Sequence, residues 1–296
     1  MTEEEALRLF ERCSNAGRWG PDDELGTCNY ITEEKRRRAL GLARRGDVVS
    51  LGKDLILSGS RQTPPSAIRV MMYAGAESIS AQDMVLLAPH GFETTHVDAL
   101  AHSSFGGWIY NRRRASAAVG GRGVTFGSIT AVKGGIVTRG VLLDVAAARG
   151  VPHLRRGEGV GIADLQAAER MAGVTVESGD AIFVRTGLDL REREEGVDDE
   201  VREGLLSEVI PWLHQREIAV YSGDCIEQMP SGFDQLPMPL HQIGLAAMGL
   251  YILDFPDVER LKEACAAHGR REFLLVAAPL RIPGGTGSPV NPLAIF

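Results

Sequence analysis

From about residue 160 onward the chain alternates amphipathic stretches with short apolar runs, and this alternation limits the available folds more than any other feature. GIADLQAAERMAG reads as a helix capped at Asp164 or a neighbour and stopped by Gly173. GDAIFVRTG reads as a buried strand through Ala181, Ile182, Phe183 and Val184. A helix through Ile210, Trp212 and Leu213 comes next. Strand IAVYSGD, helix PLHQIGLAAMG, strand LYILDF, helix DVERLKEACAAHG and strand REFLLVAAPLRI complete the series. Helices and strands in this order predict an α/β domain.

The middle of the chain has a different character. AIRVMMYA, DMVLLAPH, ETTHVDALAH, GSITAV and IVTRGVLLDV are strand-length runs separated by glycines, which a plain doubly wound sheet does not explain. Upstream, Glu3 to Ala16 reads as a helix, Thr32 as the N-cap of a second helix closed by Gly46, and DVVSLGKDLIL as extended chain. No repeat or long linker interrupts the sequence. A single domain over residues 1–296 is therefore expected, with 1–46 as an N-terminal helical segment packed on it. The charged stretch from Arg191 to Glu203 reads as a solvated loop and helix start.

Composition excludes several classes of function. With 44% apolar and 24% charged residues, the chain is neither disordered nor collagenous. A net charge of −7 offers no basic field for nucleic acid or anionic lipid, and no apolar run reaches bilayer length. The acidic, amphipathic N-terminus does not read as a signal peptide. The four cysteines are scattered without a CxxC pair, which argues against a zinc finger or redox motif and fits a cytoplasmic setting. A small-molecule substrate is expected, with no nucleic-acid or membrane partner.

Of seven histidines, three fall within HGFETTHVDALAH. In a strand, residues i and i+2 share a face, so His96 and Asp98 project together as a chelating pair for a divalent ion such as Zn²⁺ or Mn²⁺. His102 follows a small-residue turn and either folds back onto the same ion or stands beside it as a proton carrier. Asp224 closes an apolar run and lies where α/β sheets bind ligands, although taken alone it suits a turn or cap role better. His241 opens a helix after Pro237 and Pro239, and Asp254 ends the strand LYILD.

Taken with Thr95, the run His96-Val97-Asp98-Ala99-Leu100-Ala101-His102 resembles the signature of the metal-dependent cyclase family, which includes bacterial kynurenine formamidase and isatin hydrolase. RWGPDDELGTCNYIT near the start, WIYN, RGVLLDV, GDAIFVRTG, PLHQIGLAAMGLYILDF and the ending APLRIPGGTGSPVNPLAIF fall in the order of its longer, roughly 300-residue branch. The resemblance implies a swivelling β/β/α domain, with a mixed sheet or barrel-like core flanked by helices. It also implies a homo-oligomer, dimer or tetramer. By position, His96 and Asp98 are metal ligands, His102 is the general acid or base, and His241 and Asp254 hold a second ion or assist. Trp19 matches a substrate-contacting tryptophan. One or two divalent ions, Mn²⁺ or Zn²⁺, are implied per subunit.

Two departures from the family pattern stand out. The first signature histidine falls at Phe92, and the later acid is Asp254 where formamidases have Glu. Glu93 or His90 substitutes for the missing ligand, or the ion sits nearer His241 and Asp254, or it is absent. His90 is the better placed of the two substitutes, because it shares a strand face with Phe92. Phe92, Phe105, Trp108 and Tyr110 offer a wall for a planar substrate. The implied reaction is metal-assisted hydrolysis of a small cyclic or aryl amide, a lactam or formamide. The alternatives are a lyase or cyclase using the same groups, and a small-molecule binding protein impaired by Phe92.

Overall fold

The computed structural model describes residues 1–57, 67–72, 75 and 79–296. Nine strands form one mixed sheet. In chain order they are β1 (Val48–Ser50), β2 (His96–Asp98), β3 (Ile136–Asp144), β4 (Ala181–Arg185) and β5 (Val220–Gly223). They continue with β6 (Tyr251–Asp254), β7 (Glu272–Ala277), β8 (Gly287–Pro289) and β9 (Leu293–Ile295). Across the sheet the order is β1-β9-β7-β3-β4-β5-β6-β2-β8.

Neighbours among β3, β4, β5 and β6 are parallel, and every other pairing in the sheet is antiparallel. The parallel strands carry near-continuous apolar side chains because both of their faces are covered. Helices α1 (Glu33–Leu40), α2 (Ile162–Ala172) and α5 (Val258–His268) pack on β3. Between α2 and α5 lie α3 (Leu188–Glu195), α4 (Val209–Gln215) and a π-helix (Leu240–Met248). Ala6, Leu9, Phe10 and Cys13 join the same apolar core as the sheet, so the N-terminal segment packs on it. This is the swivelling β/β/α architecture that the resemblance implied.

Several local expectations change. Glu3 to Ala16 forms two short helices, Glu3–Leu7 and Leu9–Arg12. The Thr32 cap forms as read, its hydroxyl accepting from the Lys35 N–H, but α1 ends at Leu40, well before Gly46. GSITAV is not a strand. Ser128 caps a 3₁₀ turn over Ile129–Val132, its hydroxyl competing for backbone donors that a ladder would use. PLHQIGLAAMG winds as a π-helix, a form found chiefly near functional sites. In AIRVMMYA the strand is Ala67–Met71, paired with Asp83–Leu87, and residues 73–74 lie outside the described residues.

The largest correction concerns the charged stretch from Arg191 to Glu203. Arg191, Arg202 and Glu203 are all buried. The Arg191 Nε–H lies 2.9 Å from both Glu203 oxygens, and the paired charges are removed from water together. Pairing is what makes this burial tolerable, since a lone charge there is strongly destabilising. Glu203→Ala would strand the Arg191 guanidinium in the interior. Chemical denaturation should then show a loss of about 3–5 kcal/mol, whereas a surface-like loss of a few tenths would contradict the buried pairing.

Candidate metal centre

The site forms where β2 is inserted between β6 and β8. In the register His96 faces Asp254 and Pro289, and Asp98 faces Ile252 and Gly287. The two-residue period of β2 sends His96 and Asp98 to the same side, as expected from the sequence. The strand is fixed from its N-terminal end. Thr95 Oγ1 donates to the Phe255 carbonyl and accepts from the Lys53 N–H. Beyond Asp98 the small residues allow a turn, closed by the His102 N–H to the Ala99 carbonyl, which swings His102 back over the strand.

Asp98 is fully buried and lies at the centre of four imidazoles. Its Oδ1 is 2.8 Å from His90 Nδ1, 3.3 Å from His96 Nε2 and 3.8 Å from His102 Nε2. Its Oδ2 is 3.6 Å from His241 Nε2 and makes no hydrogen bond, although it is shut off from solvent. The His90 and His102 rings stack at 3.8 Å between centroids. Asp254 completes a second group with His96 and Asp98, and its Oδ1 accepts the Phe255 N–H. Two sets of three ligand atoms therefore lie within reach of one ion each, His90–Asp98–His102 and His96–Asp98–Asp254.

The imidazoles are aimed by partners on their far nitrogens. His96 Nδ1 is 2.8 Å from the Thr94 carbonyl, which turns Nε2 towards Asp98. His241 Nδ1 is 2.6 Å from Glu227 Oε1, while Glu227 Oε2 accepts the Leu240 and His241 N–H groups at the start of the π-helix. A carboxylate on the far nitrogen is the usual way of orienting a metal-ligating histidine. His90 is held differently, with Nε2 3.0 Å from Thr286 Oγ1. Its ring lies over β8 only because residue 287 is glycine. A Cβ there would come within 2.6 Å of the His90 ring and 2.9 Å of the Val97 carbonyl.

The electrostatics follow from this crowding. Burial opposes ionisation of Asp98, but the imidazoles around it hold the carboxyl well below the usual carboxylate range. Burial also opposes charge on His96 and His241, and here too it is outweighed. The Asp98 carboxylate lifts His96 to about 9, and Glu227 lifts His241 to about 10. His102 goes the other way. Burial, helped by the neighbouring imidazoles, pushes it down to about 4 against the pull of Asp98. Burial raises Asp254 to about 6. The donor set of nitrogens and carboxylate oxygens, with one buried carboxylate oxygen unpartnered, fits a borderline divalent cation.

Above the imidazoles lies a cavity of about 100 Å³ lined by His90, His96, His102, His241 and Asp254 on its polar side. Phe92, Phe255, Met229 and Met238 form its apolar side. The residues read from the sequence at 90, 96, 98, 102, 241 and 254 are thus brought together. Trp19 is not among them. It packs edge-on against Tyr30 beside Arg18, in a different part of the molecule. Of the four aromatics read as a wall, only Phe92 lines the cavity. Phe105 packs on Phe10, Trp108 lies under Arg114, and the buried Tyr110 donates to Asp23. Asp224 is a structural latch. It accepts from the Thr186 N–H and hydroxyl and from the Gly187 and Leu188 N–H groups, where α3 begins.

Glu227, Phe255 and Arg202 were not singled out in the sequence. Glu227 sits two residues past Cys225 in an irregular segment and reaches His241 from outside its helix, so no spacing rule exposes it.

Comparison with known proteins bears on the family and the fold. Residues 58–228 match the family described as "Putative cyclase". A solved structure described as a novel cyclase is 30% identical, with 97% of this chain and 99% of that chain covered and a TM-score of 0.86. The chain belongs to this cyclase family. Isatin hydrolase A from Ralstonia solanacearum shares the fold at 22% identity, with 87% of this chain and 95% of that chain covered and a TM-score of 0.63. A structure described as a potential metal-dependent hydrolase with cyclase activity does so at 13% identity, covering 84% and 98%, with a TM-score of 0.52. No curated protein sequence matches. Among the described residues, no helix is long and apolar enough to cross a membrane.

Two outcomes are expected. Glu227→Gln keeps the shape but removes the charge behind His241, and should weaken Mn²⁺ or Zn²⁺ binding by about 10–100-fold in a metal titration. His96 and His241 carry protons at neutral pH without an ion, because their folded values lie above the ordinary 6.5. They favour the ion-free fold below that value, and the contribution fades as pH rises through about 9 and 10. An incoming ion must displace these protons, so its affinity should rise with pH above 7. Calorimetry in buffers of different ionisation enthalpy should detect proton release, and ion uptake without it would show that neither imidazole ligates.

Proposed function

We propose that the protein is a metal-dependent hydrolase that adds water to the carbonyl of a small cyclic or aryl amide, a lactam or formamide. The observation that carries this reading is the buried Asp98 carboxylate, its Oδ2 without a hydrogen bond and its two oxygens approached by four imidazoles that line or border a largely apolar cavity. His96, Asp98 and Asp254 would hold a Mn²⁺ or Zn²⁺ ion, with His241 aimed at it by Glu227 and His90 in the place left by Phe92. When bound, such an ion lowers the pKa of water towards neutrality and polarises a carbonyl oxygen.

The protein's own groups do the rest. His102 is held neutral by burial, and its side chain keeps a quarter of its surface exposed, so it can accept a proton and pass it on. Stacking on His90 limits rotation of its ring. His102 takes the proton released by the attacking water and returns it to the departing nitrogen, so the C–N bond breaks to an amine and a carboxylic acid. Phe92, Phe255 and Met238 exclude bulk water from the carbonyl and favour a planar apolar body.

The roles of holding the ion and moving the proton are separable by mutation. His96→Ala should lose both stoichiometric metal and turnover. His102→Ala should retain metal, as read by elemental analysis, while kcat for an aryl formamide or lactam falls by about 10²–10⁴-fold. Mass detection of water addition reports the reaction itself. Metal-loaded protein that instead removes water from a substrate or isomerises it would point to the lyase chemistry.

A further inference from the structure

The hydrolytic reading leaves Arg202 without a task, yet its side chain lines the same cavity. It lies in the stretch first read as solvated, and it is 2% exposed. Its backbone is pinned by reciprocal hydrogen bonds with Met229, each 2.9 Å. Its guanidinium carbon sits 4.4 Å from the centre of the Phe92 ring and 5.0 Å from that of Phe255. Phe255 holds a left-handed backbone at φ 51°, a costly conformation for a bulky residue, and this turns its ring towards the arginine and Phe92.

The donors of this guanidinium are unevenly satisfied. Nη1 donates to Asp199 at 2.9 Å. Nη2 is buried and makes no hydrogen bond, and the nearest carboxylate oxygen recorded for it, Glu192 Oε1, is 3.9 Å away, beyond hydrogen-bond reach. Arg113, Arg191 and Arg270 also hold unpartnered buried nitrogens, but of these arginines Arg202 alone lines the cavity. The cavity wall thus combines imidazoles, apolar side chains and an arginine whose Nη2 is buried without a hydrogen-bond partner.

We propose that Arg202 recognises a carboxylate on the substrate, so that the site takes a small amide or lactam that itself carries an anionic carboxylate. The proposal rests on the hydrolytic reading for the bond that breaks, but not for the anion. Two aromatic faces fix the guanidinium plane, so Nη2 offers its N–H bonds to an anion in a set direction, which a freely rotating lysine ammonium would not. The position that departs from the family's signature histidine, Phe92, acquires a role here as part of the arginine's platform.

The test uses the full-length, Mn²⁺-loaded protein, an aryl formamide with a ring carboxylate, and the methyl ester of the same compound. The carboxylate should be preferred by at least about tenfold in kcat/KM. Arg202→Gln should abolish that preference mainly through KM, and Arg202→Lys should restore part of it. Absence of a preference in the unaltered protein, or an equal loss on both substrates in Arg202→Gln, would overturn the proposal. Calorimetry with benzoate and benzamide needs no turnover. Benzoate binding that depends on Arg202, without hydrolysis of any formamide or lactam, would retain the anion site and remove the hydrolase reading. Benzoate binding unaffected in both variants would mean that the ion alone holds it, and would defeat the role of Arg202.

Discussion

One buried carboxylate governs the arrangement of the site. Asp98 has no access to water, and nitrogen atoms from four imidazoles approach its two oxygens within 3.8 Å. A buried anion must be compensated, and here compensation comes from groups that are also good metal ligands. The sheet supplies the rigidity this requires. β2 is held on both sides by ladders to β6 and β8, so the carboxylate cannot withdraw towards solvent. The same insertion sets Asp254 opposite His96, which gives the second acid its place without any special loop.

The centre has different protonation demands at neighbouring rings. Glu227 behind His241 and Asp98 beside His96 favour the charged imidazole, while the less supported His102 is driven neutral by its surroundings. Groups so close together but pushed apart in proton affinity are the raw material for dividing the roles of binding and proton transfer. The division is written in hydrogen-bond partners. Glu227 accepts from two backbone N–H groups and meets one imidazole, so a single side chain ties the start of the π-helix to the chemistry.

Much of this was legible in the sequence, for definable reasons. The period-two placement of His96 and Asp98 needs only a strand, the apolar run ending in Asp254 locates that acid at a strand end, and Pro237 and Pro239 mark the helix start that carries His241. What could not be read were contacts made across the chain. His90 gains its partner through Gly287, which is distant in sequence and carries no signal of its own. Arg191 to Glu203 reads as solvated because charge density alone suggests exposure, whereas Arg191 pairs with Glu203 twelve residues on and Arg202 stacks on Phe92 and Phe255 from other segments. Trp19 and the aromatics at 105, 108 and 110 do not line the cavity and pack against other partners, because ring type says nothing of which neighbours a loop will meet.

Gly287 carries an evolutionary consequence. The edge strand β8 is the outer boundary of the centre, and its bare Cα leaves a shelf just deep enough for one imidazole. Loss of that shelf would exclude a ring at position 90, and a histidine at 92 would then have to serve in its stead. Residues 90, 92 and 287 should therefore vary together among relatives: where a side chain fills the shelf, the aromatic platform beneath the arginine gives way to a ligand.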